Sequence, residues 1–213
     1  VVVAVIASLI QDDVQPLPKH AALHIAPGGF LVEQKTYVDP FTQIMQQNSP
    51  AAAETLVTNL IEAIDSAASD GRITSLVLEL DFLIGGGISK LEDIGEALAR
   101  FKKSGKPIIA VGDNYTQEQY YLASYADEIH LNPMGTVLLT GYGNYPNYIK
   151  EGLDKLRINL HIFRVGTYKD AIEPFTRTDM SEASREHTTE WINALWSVYT
   201  SRVETLRDLP TDA

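Results

Sequence analysis

The sequence predicts an α/β fold in which helices cover a sheet. Short apolar runs alternate with amphipathic segments along the chain, and glycine or proline residues separate many of them. The 213 residues are 45% hydrophobic and 21% charged, which is an ordinary composition for a globular protein. A chain of this length can bury one substantial core. We therefore expect one α/β domain, which begins near residue 21.

The elements of the first half follow from the spacing of apolar residues. Continuous apolar runs predict strands, and apolar residues three or four positions apart predict amphipathic helices. Glycine and proline mark where these elements end. The predicted elements are a strand at residues 21–26 that continues at 30–33, a helix from residue 51 that is capped by Gly71, a strand at 73–80, and a helix from Ile88 that ends before Gly105.

The same signals predict a long helix near the end of the chain. Ser181 is a suitable N-cap, and apolar residues recur at helical spacing from Ile192 to Leu206. Upstream of this helix, the predicted elements are a strand at residues 107–111, a short helix at 117–125, a strand at 128–131, a helix at 147–156 and a strand at 160–165. Such alternation is typical of βαβ units, whose functional loops lie at strand ends.

Charge and residue types exclude several classes of function. The 28 acidic and 17 basic residues give a net charge of −11, which would repel nucleic acid. The sequence has no cysteine, so disulfides and thiolate chemistry are excluded. Its five histidines show no HExxH or H-x-H spacing. We therefore expect no nucleic-acid partner, no metal and no cofactor.

The chain begins with the apolar run VVVAVIASLI, at residues 1–10. This run is shorter than the ~20 residues of a membrane-spanning helix. It is either a buried strand or the end of a membrane anchor, and we favour the anchor. Pro16 and Pro18 then predict an extended spacer. Residues 1–20 are thus predicted to be an anchor stub with its spacer, and residues 21–213 the folded domain.

Gly85, Gly86 and Gly87 connect a predicted strand to a predicted helix. Glycines at such a turn expose backbone N–H groups beside a helix N-terminus, which suits an anion or an oxyanion. The triplet is not a P-loop, because no GK[ST] follows it. A flexible connection without a ligand is the alternative interpretation.

Lys169 is the candidate for a reactive lysine. It follows a short apolar run and Gly166, in the stretch HIFRVGTYKDAIEPFTR. A lysine that reacts at neutral pH must be largely uncharged, whereas the neighbouring Asp170 and Glu173 favour the protonated form. Activation would therefore have to come from elsewhere in the fold. A solvated loop lysine is the alternative interpretation.

The segment NYTQEQYYLASYA, at residues 114–126, contains the candidate hydroxyl nucleophiles Thr116 and Ser124. It enters a helix after a strand, where hydrolases of the G-x-S-x-G type place their nucleophilic serine, but it lacks that motif. Ser124 falls within the helical pattern. A hydroxyl there more often bonds to a preceding carbonyl than acts in catalysis.

Two stretches resemble a known family. They are SGKPIIAVGDNYTQEQYYLASYADEIHLNP and FRVGTYKDAIEPFTRTDMSEASRE, followed by a tryptophan-containing helix. Together they are similar to the N-terminal half of the long members of the signal peptide peptidase A family, also called protease IV. The resemblance implies a ClpP/crotonase-like fold of ββα-type units. It also implies a membrane-anchored serine protease that degrades signal peptides after their release.

The resemblance also implies roles for individual residues. Members of this family use a serine and a lysine, and the VGTYKDAIEPF motif makes Lys169 the general base. Gln117 occupies the place of the nucleophile, with Glu118 and Gln119 in place of glycines, so the serine is expected from a C-terminal half. Residues 85–87 match the place of the oxyanion element, although they lack its proline. We therefore expect the isolated chain to be inactive.

The partners implied by the resemblance are apolar signal peptides, the C-terminal half of the same protein, and further copies in a homo-oligomer. The expected location is the inner membrane, with the folded domain on the periplasmic side. A non-catalytic scaffold or oligomerisation domain is the first alternative. The second is a crotonase-type acyl-CoA enzyme, since a fold does not determine function.

Overall fold

The structure is a computed structural model that describes residues 18–37, 53–163 and 170–210. The chain divides into two compact units, Val1–Thr136 and Val137–Ala213. This division is finer than the single domain that we predicted, and the boundary at residue 21 stays a prediction. Both the apolar run at residues 1–10 and Lys169 lie outside the described residues.

The first unit alternates strands and helices, and the second contains a long helix. The elements of the first unit are β1 (Ala21–Ile25), β2 (Gly29–Val32), β3 (Glu54–Leu56), α1 (Val57–Ser69), β4 (Ile73–Glu79), β5 (Leu83–Gly85), α2 (Ile88–Lys102), β6 (Ile108–Gly112), β7 (Tyr115–Thr116), α3 (Gln117–Ala123) and β8 (Glu128–Leu131). Those of the second unit are β9 (Val137–Leu138), α4 (Lys150–Lys155), α5 (Glu173–Thr176) and α6 (Glu182–Arg207).

Two parallel sheets form the frame of the first unit. One has four strands in the order β1-β4-β6-β8, and the other has three in the order β3-β2-β5. In the larger sheet Leu76 pairs with Ile108, and Ala110 pairs with Ile129. Apart from Thr74, every residue of β4 and β6 is buried or partly buried, which explains why both strands are rich in apolar residues. The predicted α/β class, with a long C-terminal helix, is confirmed.

The core of the first unit lies between its sheets and its helices. Ile64 of α1 and the α2 residues Leu91, Ile94, Leu98 and Phe101 are at most 1% exposed. Their helical spacing therefore marks the buried stripes of these two helices, as the sequence predicted.

Two sequence predictions about the boundaries of the first helix are wrong. Residues 54–56, which we assigned to the first helix, form β3 because they pair in parallel with β2. Gly71 is not the helix cap. Asp70 takes that position in an extended conformation, and its carboxylate accepts hydrogen bonds from the backbone and guanidinium of Arg72. These bonds lower the pKa of Asp70 to about 2.

The predicted strand at residues 160–165 is also absent where the structure describes it. Residues 160–163 are irregular, and 164–165 lie outside the described part. Phe163 is 98% exposed, so this apolar run is not buried against a sheet. The predicted helix at 147–156 is shorter and corresponds to α4. By contrast, the Ser181 side chain accepts a hydrogen bond from the Ser184 N–H, which confirms the predicted N-cap of α6.

Helices that could span a membrane would need a long apolar stretch. Within the described ranges of the chain, no helix is long and apolar enough to do so.

The buried hydroxyl of Tyr115 makes the stability of the first unit depend on pH. Its side chain is 1% exposed, and its hydroxyl has no hydrogen-bond partner among the described residues. Burial, with a smaller contribution from the charge of Asp81, raises the pKa of Tyr115 to about 12. In the unfolded chain a tyrosine ionises near pH ~10. Stability should therefore fall as the pH rises from ~10 towards 12, because only the unfolded state releases this proton.

We expect Tyr115→Phe to raise the free energy of unfolding at pH 7 by about 1 kcal/mol, because it removes a buried hydroxyl without a partner. The variant should also lose part of the alkaline destabilisation. Urea unfolding at neutral and alkaline pH measures both effects. Tyr145→Phe is the matched control, since Tyr145 is 91% exposed. A less stable Tyr115→Phe variant would contradict this account of the hydroxyl.

Candidate functional site

The glycine loop (residues 85–87) joins β5 to α2 in the first unit. A Cβ atom on Gly86 would lie 2.5 Å from the Leu31 Cβ atom, so the loop is packed against β2. Gly87 is the N-cap of α2 and has a φ of 80°, a conformation that favours glycine. Close packing at Gly86 and the left-handed conformation of Gly87 explain why glycine occupies these two positions.

The start of α3 is held in place by Gln119. The Gln119 Oε1 atom accepts a hydrogen bond of 2.8 Å from the Thr116 N–H. The Thr116 hydroxyl accepts one of 3.4 Å from the Gln119 N–H, which completes a capping box. The Gln119 Nε2 atom also donates to the Leu83 carbonyl at 2.8 Å, in a buried bond between α3 and β5. Gln119 therefore has a structural role.

Glu118 contacts the glycine loop directly. The Gly86 N–H donates a hydrogen bond of 2.7 Å to the Glu118 Oε2 atom. Sequence reasoning missed this contact, which joins residues 32 positions apart. The available signal was an acidic residue in the first turn of a predicted helix. The structure thus brings the glycine loop together with the segment that includes Gln117, which is buried as the first residue of α3.

The two candidate hydroxyl nucleophiles have structural partners. Ser124 is 1% exposed, and its hydroxyl donates a hydrogen bond of 2.6 Å to the Tyr121 carbonyl. The Thr116 hydroxyl caps α3. The bond of Ser124 to a preceding carbonyl is the arrangement that we considered more frequent than catalysis for this residue.

Asp170 and Glu173, which follow Lys169 in the sequence, accept hydrogen bonds from residues at the start of α6. The Ser184 hydroxyl donates a hydrogen bond of 2.6 Å to the Asp170 Oδ2 atom. Glu173, which is 5% exposed, accepts bonds from the Ser181 N–H at 3.0 Å and from the Ser181 hydroxyl at 2.5 Å. An anion at a helix N-terminus is stabilised by the helix dipole. These four residues form a carboxylate–serine network, which begins immediately after Lys169.

A second concave region lies at the carboxyl ends of β4, β6 and β8, where parallel sheets often bind ligands. Its polar groups bond to one another. The Asp113 N–H donates to the Asp81 Oδ1 atom at 2.9 Å, and the Asn132 side chain donates to Asp113 at 2.9 Å. In the described part of the chain, no group of three or more histidine, cysteine, aspartate or glutamate side chains is arranged to hold a metal ion.

The chain belongs to peptidase family S49, whose family model matches residues 100–213. This match confirms the family that the sequence motifs indicated. Among curated proteins, the chain is 39% identical over 200 residues to Protease 4 of Haemophilus influenzae. It is 44% identical over 167 residues to Protease 4 of Salmonella typhi. It is also 29% identical over 138 residues to a chloroplastic serine protease SPPA of Arabidopsis thaliana, with 65% of this chain and 20% of that protein aligned.

The chain is much shorter than these relatives. The alignments cover 92% and 78% of this chain but only 32% and 27% of the two Protease 4 sequences. A solved structure of an enoyl-CoA hydratase/isomerase family protein from Silicibacter pomeroyi is also similar. It has 18% identity and a TM-score of 0.32, with 72% of this chain and 81% of that chain aligned.

The buried contacts of Gln119 lead to a prediction about stability. Gln119→Ala should lower the free energy of unfolding by about 2 kcal/mol, because it removes the side-chain acceptor of the Thr116 N–H and leaves the Leu83 carbonyl without this donor. Urea unfolding measures the loss. Gln34→Ala is the matched control at an exposed position. Equal stability of the two variants would show that the bond to Leu83 contributes nothing.

Proposed function

We propose that this chain is part of a serine peptidase of the S49 family and that it supplies the general-base lysine, Lys169. The family match carries this proposal, since it includes the whole VGTYKDAIEPF motif. The likeness to two proteins named Protease 4 supports it. In this proposal the serine nucleophile belongs to another part of the longer protein.

The structure at the start of α3 supports a separate source of the nucleophile. The resemblance places the nucleophile at position 117, where this chain has a buried glutamine. The next two side chains bind the glycine loop and the Leu83 carbonyl. These residues therefore stabilise the local structure at a position where the family resemblance implies catalytic groups.

The proposed chemistry is acyl transfer to a serine. Neutral Lys169 accepts the hydroxyl proton while the serine oxygen bonds to the peptide carbonyl carbon. Collapse of the tetrahedral intermediate breaks the C–N bond, and the leaving amine takes up the proton. Water then attacks the acyl-enzyme and gives a proton to the lysine. The lysine passes this proton to the serine oxygen as the ester C–O bond breaks and the carboxylic acid leaves. The attack of the serine and the attack of the water each require an uncharged lysine at the start.

The carboxylate–serine network supports this requirement. A lysine has an ordinary pKa of about 10.4, and adjacent carboxylates would raise it. Asp170 and Glu173 accept hydrogen bonds from the serines at the start of α6. The N-terminal end of α6 partly offsets their negative charge. This offset lowers the electrostatic cost of a neutral lysine beside these residues in the sequence.

We further propose that the substrates are extended apolar peptides such as released signal peptides, and that the protein is anchored in the inner membrane with this chain on the periplasmic side.

The second unit displays large apolar side chains, which are typical of surfaces that bind other proteins. Tyr145 is 91% exposed and Leu156 is 71% exposed. Their exposure supports contacts with the C-terminal half or with other copies in a homo-oligomer.

The role of Lys169 can be tested in the longer protein that contains the serine. We expect both Lys169→Ala and Lys169→Arg to lower kcat by at least about 100-fold, because arginine cannot act as a neutral base. Lys155→Ala is the matched control at an exposed position of α4. Size-exclusion chromatography verifies assembly. Full activity in an assembled Lys169→Ala variant would instead support a scaffold role for this chain.

The 213-residue chain alone should not hydrolyse peptides, because its candidate hydroxyl residues have structural roles. A quenched fluorescent peptide with an apolar core is a suitable substrate. Robust hydrolysis by the pure chain, abolished by Ser124→Ala or Thr116→Ala, would show that the nucleophile lies within it.

A further inference from the structure

We infer that the glycine loop is a carboxylate-binding site and that its ligand is the Glu118 side chain of the same chain. The contact is the 2.7 Å hydrogen bond from the Gly86 N–H to the Glu118 Oε2 atom. This distance is at the short end of the range for N–H donors, as expected when the acceptor is charged. The inference concerns the first unit alone and does not rest on the role proposed for Lys169.

The backbone of the loop is shaped for this side chain. A Cβ atom on Gly85 would lie 2.7 Å from the same Glu118 Oε2 atom. Any larger residue at position 85 would therefore displace the carboxylate. Glycine at this position is needed to admit the ligand, whereas glycine at position 86 is needed to pack against Leu31.

The charges around the loop favour an anion. The loop leads into α2, a helix of 15 residues whose N-cap, Gly87, has no side chain to bond the free N–H groups. The N-terminus of such a helix carries a partial positive charge. The Lys90 Nζ atom donates to the Gly86 carbonyl at 2.9 Å and adds a full positive charge beside the loop.

The backbone at Glu118 is fixed beside the loop by its neighbour. Gln119 joins α3 to the Leu83 carbonyl of β5 and closes the capping box. The bond of Glu118 to the loop therefore costs only side-chain freedom, and a ligand whose backbone is already placed binds more tightly than a free one.

An occupied loop has a consequence for catalysis. The oxyanion of a tetrahedral intermediate would need backbone N–H donors of the kind that Gly86 provides. Glu118 already occupies this donor, and its negative charge would repel a second anion. The glycine loop of this chain is therefore closed to a substrate oxyanion by an internal carboxylate.

Nuclear magnetic resonance of the ¹⁵N-labelled 213-residue chain tests the contact through the Gly86 amide. We expect Glu118→Ala to move the Gly86 amide proton upfield and to speed its hydrogen exchange by about tenfold, because a charge-assisted hydrogen bond is lost. The isosteric Glu118→Gln keeps an acceptor without the charge and should give a smaller upfield shift. Glu128→Gln, at an exposed position of β8, is the matched control.

Added acetate tests whether the loop binds a carboxylate. In Glu118→Ala, acetate should return the Gly86 amide proton downfield in a saturable way, whereas chloride at equal ionic strength should not. The wild-type chain should not respond, because its own carboxylate occupies the loop. The inference is overturned if Gly86 is unchanged by Glu118→Ala, or if acetate shifts the wild-type chain and the variant equally. Unchanged amide signals elsewhere verify that the variant is folded.

Discussion

The hydrogen bond from the Gln119 side chain to the Leu83 carbonyl determines the arrangement of the groups around the glycine loop. It joins the first turn of α3 to β5, so that the residue before Gln119 meets the residue that follows β5. Both ends of this contact are buried, and neither water nor another conformation easily replaces it. The position of Glu118 and its close approach to Gly85 follow from this connection between a helix and a strand.

Much of the fold could be predicted from the sequence because its helices have clear apolar stripes. The stripe of α2 and the N-cap of α6 were both identified from spacing alone. The short strand β3 was missed because its three residues adjoin a helix and become a strand only by pairing with β2. The apolar run at residues 160–163 was predicted to be a strand, but apolar residues alone do not make one. No strand in the described part of the chain pairs with this run.

The candidate site was only partly predictable. The roles of Lys169 and Gln117 stay predictions from resemblance to a family, and the glycine loop was singled out by its composition. The partners of these elements were not visible, because they lie far apart in the sequence. Glu118 meets Gly86 across 32 positions, and Ser184 meets Asp170 across 14. Periodicity describes one element at a time, whereas such contacts depend on how two elements are placed.

The internal carboxylate of Glu118 also bears on how this chain could evolve. A serine gained at position 117 would find the Gly86 N–H already bonded to a negative charge, so that single change would bring little catalytic benefit. Loss of Glu118 alone would remove a stabilising contact without adding a nucleophile. Neither single change therefore gives both a nucleophile and a free Gly86 N–H. A glycine loop that is closed by Glu118 is, in this sense, difficult to convert into an oxyanion site one substitution at a time.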